Sequence, residues 1–240
     1  VDTTVEVDGN QLDRDIDEIA VEVGEKALNE WGKAEGELLF AKRAPEARYK
    51  LWKERGVVTR NIDREIVEIM HRTHIGVDQD YKNLMKQGTR AAIADGWGGS
   101  MLATELQDIL FGTPYPIASE ANLGVMKADM VNLVIHGHEP VLSEMIIAVA
   151  QTKKMEEYAK SKGAKGIQLS GICCTANEML QRHGVPLCGT FLQQELAIIT
   201  GACDAMVVDI QCIFQNLANV AKCFHTKLTT THPIARMEQE

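Results

Sequence analysis

The run Val131-Asn132-Leu133-Val134-Ile135, followed directly by His136-Gly137-His138-Glu139-Pro140, decides the fold. Its first five residues read as a short buried strand, bounded by glycine and proline that end it. The same alternation continues downstream. A helix is expected over 143–162, a strand over 166–172 and a helix over 177–183. A shorter strand over 186–191 and a helix over 193–200 follow. Then come a strand over 205–210, a helix over 214–222 and a last strand over 227–231. Strands separated by helical stretches imply a parallel sheet with helices on its faces.

Upstream the period is different. Apolar positions Ile16, Ile19, Ala20, Val23 and Leu28 are spaced for a helix within 12–31. Asp63 is placed to cap a helix running through Glu65, Ile66, Ile69 and Met70. Another helix is expected over 81–94, ending at Asp95-Gly96-Trp97-Gly98-Gly99, since a glycine run disfavours a helix interior. A further helix over 100–110 stops at Gly112-Thr113-Pro114. The expectation is an α plus α/β protein: a helical part over 1–128 and an α/β domain over 129–240.

Composition narrows the function classes. Net charge is −9, from 25 basic and 34 acidic residues, which disfavours a nucleic-acid partner because phosphate binding needs clustered Lys and Arg. Neither a signal-peptide pattern nor a membrane-length apolar run is visible, so a cytoplasmic protein with no membrane span is expected. The chain opens on Val1 and is read as an excised or processed piece. Six cysteines in such a protein read as thiols or metal ligands rather than disulfides, and the adjacent Cys173 and Cys174 have poor disulfide geometry.

Chemistry-bearing residues recur at strand ends. The first strand ends in His136-Gly137-His138, the second in Cys173-Cys174, and a later one in Gln211-Cys212. Ligands of open parallel sheets bind beyond the carboxyl ends of the strands, so these groups can meet in space. One imidazole and two thiolates there would suit zinc or an iron–sulfur assembly. A single buried cysteine is more often core packing than ligand; repeated placement at strand ends is what favours a site. His71 and His74, three apart, read as helix-face residues before they read as a metal pair. The glycine run 96–99 lacks the strand–loop–helix setting and the lysine of a phosphate loop. Cys188, Cys203 and Cys223 have no partner at ligand spacing, and no Cys-x-x-Cys is present.

Seven blocks then resemble one family, the oxygen-sensitive nickel–iron carbon monoxide dehydrogenases of the hybrid-cluster (prismane-like) superfamily. They are Asp63-Arg64-Glu65-Ile66-Val67-Glu68 leading to His71-Arg72-Thr73-His74; Ala94-Asp95-Gly96-Trp97-Gly98-Gly99-Ser100; Leu106-Gln107-Asp108-Ile109-Leu110-Phe111-Gly112-Thr113-Pro114; His136-Gly137-His138-Glu139-Pro140; Gly171-Ile172-Cys173-Cys174-Thr175; Val208-Asp209-Ile210-Gln211-Cys212; and Cys223-Phe224-His225-Thr226-Lys227. The resemblance extends from about Leu38 onward.

The resemblance implies a helical domain followed by Rossmann-like domains, of which this chain would carry the first. It implies a nickel–iron–sulfur cluster, the C-cluster, that interconverts CO and water with CO2, two protons and two electrons. His138 would bind the iron outside the cubane, with Cys174 and Cys212 on irons of the cluster; the neighbours His136 and Cys173 stay open as alternatives. Asp95 resembles an acid near the active site that assists proton movement. Partners implied are a second copy in a homodimer, a ferredoxin-like electron acceptor and acetyl-CoA synthase. The family's N-terminal 4Fe-4S clusters and its remaining C-cluster ligands have no counterpart in residues 1–240, which would therefore be an internal fragment, inactive by itself. Two other readings are a hybrid-cluster-type oxidoreductase and a cluster-free structural fragment.

Overall fold

A computed structural model describes residues 5–138, 140–233 and 236–237; for 140, 180 and 181 it describes the backbone alone. Two compact units result, Val1–Thr113 and Pro114–Glu240. The division falls earlier than the 128/129 boundary expected from the change of period. Residues 114–128 pack with the second unit: Val125 and Met126 join the sheet core, and Ala121 forms a parallel bridge to Leu187.

The first unit is helical: α1 (Ile16–Asn29), α2 (Leu39–Arg43), α3 (Glu46–Arg55), α4 (Ile62–Arg72), α5 (Tyr81–Asp95) and α6 (Leu102–Phe111). Its core gathers Val23, Ala27, Leu38, Ile62, Trp97 and Ile109. Two details correct the sequence reading. Asn61, not Asp63, caps α4, its side chain accepting from Arg64 N at 2.7 Å; Asp63 lies in the first turn, where its charge suits the helix dipole. α5 ends at Asp95, where the glycine run begins, but the chain stays helical: Gly96–Met101 continue as a π-helix into α6, and Gly98 serves close approach, since a Cβ on it would lie 2.6 Å from Ile62 Cδ1 and 3.2 Å from the Trp31 ring.

An ion network ties α4 to α5. Glu65 is fully buried. It accepts from Arg60 Nε at 2.8 Å, Arg60 Nη2 at 2.9 Å, Gln87 Nε2 at 2.8 Å and Arg90 Nε at 3.1 Å. Burial alone would push its carboxyl up, but Arg60 and Gln87 hold it below the ordinary glutamate value. Arg60 also bonds Glu68, with Arg64 adding to it, and Glu68 is lowered to about 2.

The second unit is a five-stranded, all-parallel sheet. Its elements are β1 (Val131–His136), α7 (Pro140–Ala150), α8 (Lys153–Ser161), β2 (Ile167–Ile172), α9 (Cys173–His183), β3 (Leu187–Gly189), α10 (Gln194–Ile199), β4 (Ala205–Val208), α11 (Leu217–Lys222) and β5 (Lys227–Thr230). The expected 143–162 helix is two helices, because Thr152 caps α8 through Met155 N. The strand order is β3-β2-β1-β4-β5, the first five strands of the Rossmann order. Alternate β1 residues enter opposite faces: Val134 joins Ile172, Met206, Val208 and Leu217, while Ile135 joins Ile147, Leu169 and Met179. A sheet covered on both faces in this way reads as continuous apolar strands, which is why the periodicity was visible. The β5 edge shows Lys227 and Thr229 to solvent. Among the described residues no helix is long and apolar enough to cross a membrane.

Arg60→Met would leave Glu65 buried without its main cation, and a loss of about 3 kcal/mol is expected in chemical denaturation. Because Glu65 and Glu68 are depressed, the stability they contribute is complete above the ordinary glutamate range. It drains as pH falls toward about 2. Arg60→Met should flatten that acid limb, as followed by circular dichroism.

Candidate metal centre

Between β1 and β4 the strand order reverses direction, and at such a switch point a crevice opens beyond the carboxyl ends. The sequence places its donors there. β1 ends at His136 and runs into Gly137 and His138; β2 runs into Cys173 and Cys174; β4 leads through Asp209 to Cys212.

Asp209 joins two of these ends. It is buried, 4% exposed, and its Oδ1 accepts from His138 N at 2.6 Å and from Ile210 N. Its own N–H donates to His136 O at 3.1 Å. Gly137, at φ 138°, leaves the space this carboxylate fills: a Cβ there would lie 1.7 Å from Asp209 Oδ1. On the other side, Gly137 O accepts from Thr175 N at 3.0 Å, binding the turn to the start of α9. Gly171 lets that helix lie close to β2, since a Cβ there would meet Ala176 and Met179 at 2.6 Å.

The two neighbouring histidines differ. His136 is fully buried, with Nε2 3.1 Å from Gln194 Oε1. Burial lowers its pKa, so it stays neutral. His138 is half-buried; its Nδ1, like that of His136, is shielded from solvent with no hydrogen-bond partner among the described residues. Glu139, part of the same sequence block, lies outside the described residues.

The cysteine doublet occupies the first turn of α9, four residues before the expected helix start at 177. Cys174 and Cys212 are exposed, Cys173 partly buried. Burial pushes Cys173 up to about 12, and Cys212 and Cys174, within electrostatic reach, add to it. Cys174, exposed as a residue, is raised by partial desolvation of its sulfur, then by Cys212, Glu178 and Asp209. These thiols therefore hold their protons at neutral pH, and a bound cation is what would draw them off.

Backbone strain marks the same place. Among the described residues, the non-glycine positions with positive φ are Cys173 (68°), Gln211 (64°) and Cys212 (58°). Each left-handed residue costs roughly 1–2 kcal/mol, and such strain concentrates at functional sites. The donor set, soft sulfur plus an imidazole nitrogen left unpaired, fits an iron–sulfur-type group. No three His, Cys, Asp or Glu side chains among the described residues are arranged around one single-ion position.

The other candidates separate. Asp95 belongs to the helical unit, exposed at the end of α5, with its carboxylate beside Gly99. His71 sits in the last turn of α4 and His74 beyond its cap Thr73, both exposed. Cys188 and Cys203 are sheet core. Asp209 and Gln194 were not singled out from the sequence. A single aspartate after a strand carries no signal by itself, and Gln194 shows only as the residue after the Thr190–Gln193 capping box.

An open parallel sheet with thiols and imidazoles gathered at its switch point defines a class of metal-binding α/β protein. Residues 2–240 match the model of the Prismane/CO dehydrogenase family, and the chain belongs to that family. Carbon monoxide dehydrogenase 1 of Methanosarcina acetivorans is 58% identical over 219 residues, 91% of this chain and 35% of the relative. The beta subunit of carbon monoxide dehydrogenase/acetyl-CoA synthase of Moorella thermoacetica is 47% identical over 236 residues, 97% of this chain and 34% of the relative. A solved nickel-free carbon monoxide dehydrogenase from Thermococcus sp. AM4 superposes with a TM-score of 0.88 at 52% identity, covering 95% of this chain and 36% of that one. The chain thus spans about a third of the length of these relatives.

Gly137→Ala would drive a methyl group into Asp209 in a conformation that L residues avoid. A loss on the order of 3 kcal/mol in thermal or chemical unfolding is expected. The double variant with Asp209→Ala should lose less than the two single changes added together.

Proposed function

We propose that this chain is part of a carbon monoxide dehydrogenase that interconverts CO and water with CO2, two protons and two electrons at a nickel–iron–sulfur cluster. The observation that carries the reading is the gathering of Cys173, Gln211 and Cys212, all left-handed, at the end of the sheet that also holds His138. The relatives that share this sheet are carbon monoxide dehydrogenases.

In this reading His138, Cys174 and Cys212 hold the cluster. The engagement of His136 Nε2 with Gln194 supports His138 over His136. The exposure of Cys174 beside the half-buried Cys173 supports it as the ligand. The cluster would supply a nickel that takes CO and an iron that acidifies water. The chain's residues orient and exclude. Asp209 fixes the His138 backbone, Thr175 anchors the Gly137 turn, and the buried sheet below keeps water from the inner side. Asp95 would move a proton.

Three ligands do not complete a cubane, which takes four cysteines in its usual form. Residues 1–240 alone are therefore inactive in this proposal, and the α/β part over 129–240 carries one portion of the site. Further ligands, and the 4Fe-4S clusters that pass electrons to a ferredoxin-like acceptor, come from the longer polypeptide, working as a cytoplasmic homodimer. The beta-subunit relative from Moorella thermoacetica supports acetyl-CoA synthase as a partner.

Nickel, iron and sulfide in the anaerobically purified complete polypeptide test this. Nickel and iron together with CO oxidation are expected, while a metal-free active-length protein would sink the reading. Cys174→Ser, Cys212→Ser and His138→Ala should each lower metal content and cut CO oxidation at least ~100-fold, beyond the 10–100-fold typical of residues one step removed from a metal. Asp95→Asn should keep the metal and slow turnover by roughly 100-fold or more, the scale of a lost proton-transfer group.

A further inference from the structure

Gln194 opens α10, yet its side chain is fully buried and turned to the crevice end of the sheet. Every hydrogen-bonding position it has is used. Nε2 donates to Phe191 O at 2.6 Å and to Cys212 O at 2.9 Å. Oε1 accepts from Phe214 N at 2.9 Å and faces His136 Nε2 at 3.1 Å. Because both Nε2 hydrogens are spent on carbonyls, Oε1 is the acceptor, and His136 must carry its proton on Nε2. One amide thus joins the end of β1 to the Cys212 carbonyl and to the N–H two residues beyond it.

That loop needs holding. Gln211 and Cys212 are consecutive left-handed residues, a conformation an unrestrained chain leaves. On its N-terminal side the loop is fixed by Asp209 accepting from Ile210 N. On its C-terminal side Gln194 takes the Cys212 carbonyl and the Phe214 N–H, the two backbone groups that flank Ile213 directly after the left-handed pair. We infer that Gln194 is a positioning residue for the metal site, holding Cys212 in its left-handed conformation and referencing it to His136 at the end of β1. The inference rests on Cys212 being a ligand, as proposed above.

The test uses the complete polypeptide prepared without cluster, with cadmium alone as the thiolate probe and hydrogen exchange over 210–216 as the conformational readout. Gln194→Met keeps the volume and removes all four bonds. Gln194→Glu keeps the acceptor oxygen and loses the two donors. Ile198→Val, a one-methylene trim of a buried residue in the same helix, controls for lost packing. The cadmium–thiolate absorbance that Cys212→Ser abolishes should need on the order of tenfold more cadmium in Gln194→Met, equivalent to about 1.4 kcal/mol. Exchange over 210–216 should quicken in parallel, Gln194→Glu should fall between, and Ile198→Val should match the parent. Unchanged cadmium affinity and exchange in Gln194→Met would overturn the inference. So would an equal loss in Ile198→Val, which would reduce Gln194 to packing. If the parent binds cadmium through Cys212 and responds to Gln194→Met, yet takes up no nickel or iron when assembled with cluster, positioning survives and the carbon monoxide dehydrogenase reading fails.

Discussion

The carboxylate of Asp209 is the constraint on which the crevice depends. It is buried, it sits just past β4, and one of its oxygens takes the backbone N–H groups of His138 and Ile210. Hydrogen bonds to a charged acceptor are about twice as strong as neutral ones, and a charge withdrawn from water is stable only when so served. The carboxylate also fills the space beside Gly137. The path after β1 and the path after β4 are therefore set by a single group, and the residues carrying chemistry follow both paths.

Around that clamp the fold holds several arrangements that are unfavourable in isolation. Thiols crowd together at raised pKa, an imidazole nitrogen is buried unpaired, and consecutive residues sit left-handed. Each would be rational in the metal site proposed above. A bound metal would displace the thiol protons, pair the nitrogen and make a fixed ligand direction worth its strain. The rest of the sheet, apolar on both faces, contributes the rigidity that keeps these groups from relaxing apart.

Much of this was legible in the sequence, for identifiable reasons. Strand runs such as 131–135 announce themselves because both faces are buried, and the order of strand and helix then forces parallel pairing. The placement of His138, Cys174 and Cys212 beyond the strand ends was legible in their position after strand runs, and the family resemblance singles them out as ligands. The glycine run at 96–99 marks the end of the α-helix but not of the helical path, because helix propensity speaks of an isolated helix, whereas Gly98 is chosen by the Trp31 and Ile62 side chains pressed against it. Thr152 splits the 143–162 helix through a cap that competes with an otherwise continuous apolar pattern. Asp209 and Gln194 act through contacts made across the sheet, between segments 71 and 58 residues apart. Nothing local to either residue encodes such a contact.

Among the described residues the sheet has two margins. On one side the short β3 meets the bridge from Ala121; on the other, β5 is four residues long and shows Lys227 and Thr229 to solvent. A strand edge is a template that other chains can copy, and proteins blunt such edges with brevity and lysine. The β5 margin has both. A parallel sheet assembles slowly because its pairings are far apart in sequence, and this one has a margin that discourages intermolecular pairing while it does so.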